Sequence, residues 1–453
     1  EVEDAISKEF KQLIDKEVWE YVNMSEQEGI NHYSQLSPRP ISSLLNVDKK
    51  FDGNGLFTKW KARFCACGNH QDRELYNEED LSSPTMTLES IFILLAFAAQ
   101  WNTHIVTADI TGAYLESSLD VNDVVYMFLS KDAVDELKKI DPKITRHILI
   151  DGRVLVRLLK ALYGTIQAAK LWYKKLKEVI TEYGFKQHPH DQCVFILVMN
   201  GALLIVGFHV DDLLMICKDK KMIDDFVTYL LACFSNITVH DGVQQTYLGM
   251  LITKEMNGNV SVTMEGYIEK VIKIYGLSQD MSVKDPQQDN IFKINDNSLV
   301  LNEPRRKLFH RVVYMLVYLG KRVRFDIQMA MSFLAGRVTV ATEEDETKLF
   351  RVLRFLHNSM SEKIIFRADH HQDDKGMNTM DVRIWADSSW GCHEDGTSRS
   401  AVIICVNGTC VASHTHKQKM ITLHATEAEL VCLTDAARLG TWTRMFVEHI
   451  IQL

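Results

Sequence analysis

Residues 203–216, Leu-Leu-Ile-Val-Gly-Phe-His-Val-Asp-Asp-Leu-Leu-Met-Ile, constrain the fold more than any other stretch, because two apolar runs meet at a pair of adjacent acids. Each run is rich in branched residues and short enough for a buried strand. The pattern predicts a β-hairpin with Asp211 and Asp212 at or beside its turn. Core packing has no use for two neighbouring carboxylates. Held close together they repel and raise one pKa unless a cation neutralises them, which points to a divalent metal or a shared proton. The plainer alternative is an exposed Asp-Asp turn, since aspartate favours turns.

The chain has 453 residues, and at roughly 100–200 residues per domain it divides into two to four. With 46% hydrophobic and 25% charged residues it reads as a folded, soluble protein rather than a disordered one. Its longest apolar stretch, near Ile91 to Ala99, is well short of the ~20 residues that span a bilayer, and no signal-peptide pattern opens the chain. Nine cysteines without a Cys-x-x-Cys pair point to a reducing, intracellular compartment. Cys65, Cys67 and His70 raise zinc, but no second ligand pair follows at finger-like spacing. The net charge of -9 excludes phosphate binding over the whole surface, so any nucleic-acid site is local. The first residue is Glu1 rather than Met, which suggests a piece of something longer.

Residues 1–30 show the apolar spacing of one amphipathic helix, through Val2, Ala5, Ile6, Phe10, Leu13 and Ile14. A Ser-Pro-Arg-Pro turn follows at 37–40. Lys59, Lys61 and Arg63 then alternate with Trp60, Ala62 and Phe64. That is strand periodicity with cations on one face, either solvated or presented to phosphate oxygens. A helix capped by Thr85 or Thr87 buries the run 91–99. Next comes the short apolar strand 105–110, interrupted by Asp109, whose carboxylate is costly there unless paired or bound to metal.

From Arg153 to Lys186 eight basic residues face two acids, on a strand, a turn at Tyr163-Gly164 and a helix through Trp172. From Arg305 to Phe325 seven Lys or Arg occur with no acid, interleaved with Phe309, Tyr314, Tyr318 and Phe325. Both regions are either solvated faces or grooves for a sugar-phosphate backbone. The polar segment 367–380, with His370, His371, Asp373, Asp374 and Gly376, reads as a linker. After it, a strand ending at Asp387, strands 401–406 and 409–414 about an Asn407-Gly408 turn, and a helix from about Thr426 mark a new domain. Glu427 needs no special role at a helix start.

Nine short motifs follow one another along the chain: Lys-Trp-Lys-Ala-Arg at 59–63, Leu-Ser-Ser-Pro at 81–84, Ala-Asp-Ile-Thr-Gly-Ala-Tyr-Leu at 108–115 and Lys-Ala-Leu-Tyr-Gly-Thr-Ile-Gln-Ala at 160–168. Val-Asp-Asp at 210–212, Tyr-Leu-Gly at 247–249, Arg-Val-Leu-Arg-Phe-Leu at 351–356, Ala-Asp-Ser-Ser-Trp at 386–390 and Ala-Thr-Glu-Ala-Glu-Leu at 425–430 complete the series. In this order they resemble the reverse transcriptase and ribonuclease H segment of a copia-type long-terminal-repeat retrotransposon polyprotein, over almost the whole chain.

The resemblance implies an α+β, right-hand polymerase of fingers, palm and thumb, followed by a partial ribonuclease H-like α/β domain. The implied bounds are fingers 1–95 and 121–160, palm 96–120 and 161–254, thumb and connection 255–375, and the ribonuclease H-like part 378–453. Two Mg2+ ions, with Mn2+ as a substitute, would be held by Asp109, Asp211 and the Ile110 backbone, with Asp212 beside the primer terminus. Lys61, Arg63, Tyr114, Tyr163, Gly164 and Gln167 would bind the deoxynucleoside triphosphate, Tyr114 excluding a 2′ hydroxyl. His209, Tyr247, Leu248, Gly249 and Met250 would grip the primer. Arg305, Arg306, Lys307, Arg311, Lys321, Arg322 and Arg324 would follow the nucleic-acid backbone. Asp387 and Glu429 would form part of a ribonuclease H metal site. The implied partners are an RNA template, a DNA primer and their hybrid, with a homodimer as the candidate oligomer and no membrane. The implied location is the cytoplasm, inside virus-like particles, with a later nuclear stage.

The chain departs from the family pattern at two places. His209 stands where the family usually has Tyr, and only Asp387 and Glu429 of the ribonuclease H acids are present, Asp435 lying further along the same helix. These departures leave two alternatives to a polymerase: a nucleic-acid-binding remnant or partner subunit that has lost the chemistry, and a chain that is chiefly a nuclease.

Overall fold

The computed structural model describes residues 1–22, 38–51, 57–78, 81–276, 283–288, 291–368 and 379–453. The first helix, Val2–Asp15, is half as long as its apolar spacing predicts. Glu17 takes a left-handed φ of 51°, and Trp19–Tyr21 leaves as a strand paired with Val154–Leu158. Val18, Trp19 and Tyr21 are β-branched or aromatic, so a sheet edge outcompetes a further helical turn. Residues 23–30, and most of the expected linker at 367–380, lie outside the described residues.

Among the described residues the strands form four sheets. The first has the order Trp19–Tyr21, Val154–Leu158, Tyr126–Leu129, Ile41–Phe51, Phe57–Ala66. Phe57–Ala66, which carries Lys61 and Arg63, is therefore an edge strand. The second sheet has the order Ile237–His240, His104–Ile110, Asp212–Cys217, Ala202–His209, Val194–Met199, Lys186–Gln187. Its strands are apolar because both faces are covered, and Leu204, Val206, Leu213, Leu214 and Met215 have at most 1% exposure.

Helix Leu88–Gln100 is capped by Thr87, whose side chain accepts from the Ser90 N–H, and every residue from Ser90 to Gln100 is buried. It is apolar all round because it packs among the second sheet, the third sheet and strand Thr409–Lys417. The third sheet comprises Gln244–Tyr247, Met250–Lys254, Val260–Thr263 and Ile364–Phe366. Helices Glu265–Tyr275, Glu303–Gly320, Gln328–Ala335 and Glu343–Asn358 pack on one another beside it.

The last sheet, Val382–Ser389, Arg399–Val406 and Thr409–Lys417, is covered by the helix Ala425–Ile451. It is tied to the rest of the chain by polar contacts as well as packing. Asn407 Nδ2 donates to Gln100 Oε1 at 3.1 Å, Thr409 Oγ1 to the Ile365 carbonyl at 2.8 Å, and Trp442 Nε1 to the His190 carbonyl at 3.0 Å. Among the described residues no helix is long and apolar enough to cross a membrane.

Candidate active site

The hairpin expected at 203–216 is formed by Ala202–His209 and Asp212–Cys217, with Val210 and Asp211 as its turn. Asp212 pairs in register with Asp109 on one side and with His209 on the other, and Thr238 pairs with Asp109. Residues directly opposed in an antiparallel sheet project to the same face. Thr238, Asp109, Asp212 and His209 thus form one polar row across four strands. Alternation along a strand lets only one of the two adjacent acids face Asp109 squarely, with Asp211 the expected one, and the register partner is Asp212. Asp211 sits in the turn, where alternation does not apply.

Val210 holds a left-handed φ of 63°, a strained conformation for a β-branched residue. Three elements hold the turn by its carbonyls. Trp172 Nε1 donates to the Val210 oxygen at 2.6 Å, the Ile110 N–H to the Asp211 oxygen at 3.1 Å, and the Tyr247 hydroxyl to the Asp212 oxygen at 3.2 Å. Trp172 lies on helix Ala168–Glu182 and is 1% exposed. No local signal in the sequence marks it as a support for the acids.

Burial pushes the Asp211 carboxyl above its ordinary range, and the Asp109 charge adds to this. Asp212 is pushed up to about 7, first by burial and then by Asp211 and Asp109. Asp109 accepts from Thr111 Oγ1 at 3.2 Å. Facing them, Lys61 is lowered by burial and by Arg63 and Lys50, while Asp109 and Asp211 pull it the other way. Asp109, Asp212, Thr238, Lys50 and Lys61 line one cleft of about 440 Å3.

These oxygen-only donors, half-buried and mutually repelling, suit a hard divalent cation. Among the described residues no three acidic, histidine or cysteine side chains are already gathered around an ion position. The fit therefore rests on donor chemistry and charge. Nor do Cys65, Cys67 and His70 form such a group; His70 Nδ1 lies 3.4 Å from Ser42 Oγ.

The other residues singled out in the sequence fall into three places. Arg63 lies 6.0 Å from the Tyr163 ring centroid, and Tyr163 packs edge-on to Tyr114 at 4.9 Å. Both phenols are raised by burial and by Asp211. Gly164 has φ 92°, and a Cβ there would stand 2.0 Å from the Ala66 oxygen, so only glycine fits. Gln167 is drawn into a polar network instead of the cleft. Its Nε2 donates to Asp123 Oδ2 at 3.0 Å, and its Oε1 accepts from Gln71 Nε2 at 3.2 Å.

Tyr247 and Met250 close a hairpin whose turn residues Leu248 and Gly249 both have positive φ, 48° and 79°. Tyr318 donates to the Leu248 oxygen at 2.9 Å, which fixes this turn to helix Glu303–Gly320. His209 Nδ1 lies 3.3 Å from the Met86 oxygen. The His209 ring lines a second cleft, together with Lys321, Arg322, His414 and His416.

The basic region 305–325 is less uniform than its sequence. Arg305 pairs with Glu343 at 3.0 Å and with Glu346. Lys307 pairs with Glu303 at 2.7 Å. Arg324 is 2% exposed and held by Asp326 and Ser359. Arg322 stacks 3.5 Å over Tyr318. Glu343 and Glu346 reach Arg305 from a neighbouring helix, while Glu303 and Asp326 stand just outside the acid-free run, which leaves Arg306, Arg311 and Lys321 outside any ion pair among the described residues. The region 153–186 is similarly engaged: Arg153 with Asp151, Arg157 with Glu20, and Lys175 with the Glu116 carbonyl.

In the last domain Asp387 is exposed on its strand, while the Ser388 N–H donates to Glu429 Oε1 at 3.2 Å. Asp435 pairs with His416 at 3.1 Å and stands apart from those two.

The family model described as reverse transcriptase (RNA-dependent DNA polymerase) matches residues 36–289. Over 419 residues the chain is 25% identical to the retrovirus-related Pol polyprotein from transposon RE1 of Arabidopsis thaliana, covering 91% of this chain and 26% of that polyprotein. Over 449 residues it is 22% identical to the transposon Ty1-BR Gag-Pol polyprotein of Saccharomyces cerevisiae, covering 96% of this chain and 23% of the other. It thus spans about a quarter of the length of these relatives. A foamy viral protease-reverse transcriptase in complex with double-stranded DNA shares the fold, with TM-score 0.50 and 11% identity over 97% of this chain and 60% of that one. The chain belongs to the reverse transcriptase family, as a copia-type retrotransposon segment. Its fold is a right-hand polymerase followed by a ribonuclease H-like domain.

Proposed function

We propose that this chain is an RNA- and DNA-templated DNA polymerase that adds deoxynucleotides to a primer 3′ hydroxyl. The observation that carries this reading is the half-buried row of Asp109 and Asp212, with Asp211 at its turn, set across a cleft from Lys61. Asp109 and Asp211, with the Ile110 carbonyl, would hold two Mg2+ ions. When bound, these lower the cost of deprotonating the primer hydroxyl and of releasing pyrophosphate.

The chain's own residues supply placement. Lys61 and Arg63 bind the triphosphate oxygens. Tyr114, held against Tyr163, fills the space a 2′ hydroxyl would need. The Leu248–Gly249 turn and His209 seat the primer strand. Arg306, Arg311 and Lys321 follow the backbone by charge, without reading sequence. On this reading the fingers are 1–95 and 121–160, the palm 96–120 and 161–254, the thumb and connection 255–375. The part from 378 to 453 carries two acids of a ribonuclease H site, Asp387 and Glu429.

Primer extension on matched RNA and DNA templates with Mg2+ tests the reading. Extension on both is expected. A chain that binds template-primer but never extends it is a binding subunit, and the proposal is then wrong.

A further inference from the structure

Strand Phe57–Ala66 is paired on one side only, with Ile41–Phe51. In an antiparallel pair alternate N–H groups point away from the partner, so an edge strand presents an unpaired row. Here two groups of that row are taken up from outside the sheet. The Ala66 N–H donates to the Tyr163 oxygen at 2.7 Å, and the Phe64 N–H donates to Glu9 Oε1 at 2.9 Å. Glu9 comes from helix Val2–Asp15 and lines the same cleft as Lys61, Asp109 and Asp212. Its bond lands one residue beyond Arg63.

The helix that carries Glu9 is fixed at both ends of the active site. Phe10 and Leu13 are fully buried, and the Phe10 ring lies 5.1 Å from Phe64. Lys16 pairs with Glu116 and donates to Ser235 Oγ at 2.9 Å. Gln12 packs so closely on Gly112 that an added Cβ would lie 2.3 Å from its amide nitrogen. The helix therefore grips both the strand of Lys61 and Arg63 and the segment between Asp109 and Glu116.

We propose that Glu9 is a positioning residue for the incoming nucleotide: it holds the outer edge of the fingers strand so that Lys61 and Arg63 meet the triphosphate. The proposal rests on the polymerase reading above. Glu9 makes no bond to the reacting atoms, and the strand edge is held alike in the ground and transition states. Its loss should raise KM with little change in kcat.

The test measures steady-state KM and kcat for dTTP on a primed RNA template, and the Kd of dTTP on a dideoxy-terminated primer, which needs no chemistry. Glu9→Ala should raise both KM and Kd by roughly 10- to 100-fold, the worth of one hydrogen bond to a charged acceptor, with kcat within about twofold. Glu9→Gln keeps an oxygen at the same reach and should restore both to the unmodified values or below. If the alanine variant does not fold, Glu9→Asp, one methylene too short for the bond, should show the same rise. An active unmodified chain whose Glu9→Ala and Glu9→Asp variants leave KM and Kd unchanged overturns this assignment alone. So does a Gln variant that fails to restore them. An unmodified chain that neither binds dTTP nor extends a primer overturns the polymerase reading, and this assignment with it.

Discussion

Asp109 and Asp212 are direct cross-strand neighbours, and both repel the Asp211 carboxyl held in the turn beside them. Three half-buried like charges side by side cost folding energy that a bound cation would offset.

Replacing Asp211 by Asn should abolish extension without unfolding the chain. Removing a metal-ligating carboxylate costs several kcal/mol of transition-state stabilisation, so the rate should fall by roughly a thousandfold. Circular dichroism and template-primer affinity should stay unchanged. Retention of more than about a tenth of the activity would remove Asp211 from the catalytic set.

The metal-free protein should lose stability as pH rises. The Asp212 carboxyl is raised in the folded chain to about 7, against an ordinary 3.8. A raised acid stabilises the fold while protonated, fully so below its ordinary value, and that share is lost as pH climbs through about 7. Melting in chelator should therefore drop between about pH 5 and pH 7.5. Asp212→Asn should flatten the drop by on the order of 1 kcal/mol, after allowance for solvent screening. Millimolar Mg2+ should offset the same loss, and identical pH profiles for the two proteins would refute the account.

Trp172→Phe keeps the packing of helix Ala168–Glu182 but removes the donor to Val210. The strained turn then has one anchor fewer, at a cost of about 1 kcal/mol. The expected result is a fall in kcat of about tenfold with template-primer affinity unchanged. A weaker template-primer complex with normal kcat would mean that the indole supports binding instead.

Tyr114→Val should relax sugar selection. Truncating a ring that packs against Tyr163 opens space beside the nucleotide, and ribonucleotide incorporation relative to deoxynucleotide should rise about 10- to 100-fold. Competition assays with matched triphosphates measure it directly.

Arg311 and Arg324 look equivalent in sequence and should behave oppositely. Arg311→Ala should weaken binding to all templates and lower the salt slope by about one unit, with Tm unchanged. Arg324→Ala leaves Asp326 and Ser359 without their partner and should cost about 3 kcal/mol of stability. Calorimetry and salt-dependent binding separate the two.

Much of this was legible along the chain. The two apolar runs define the hairpin, Thr87 marks a helix start, and the alternation of Lys61 and Arg63 with Trp60, Ala62 and Phe64 defines a strand, because each pattern depends on neighbours a few residues apart. The first helix stops at Asp15, short of the expected 1–30, because a sheet edge claims Trp19–Tyr21. Tertiary pairing decided this, and propensity could not.

The sequence by itself determined which residues carry charge and which segments are strands or helices, and the order of its motifs carried the family resemblance. Only the tertiary structure decided which charges are spent. Arg305 meets acids from another helix, Arg324 is held by Ser359, Gln167 joins a polar network, and Trp172, Tyr247 and Glu9 reach the strands of the site from helices and strands far away in sequence. Hydrogen bonds and ion pairs act over a few ångströms of space, and no pattern read along the chain records that distance.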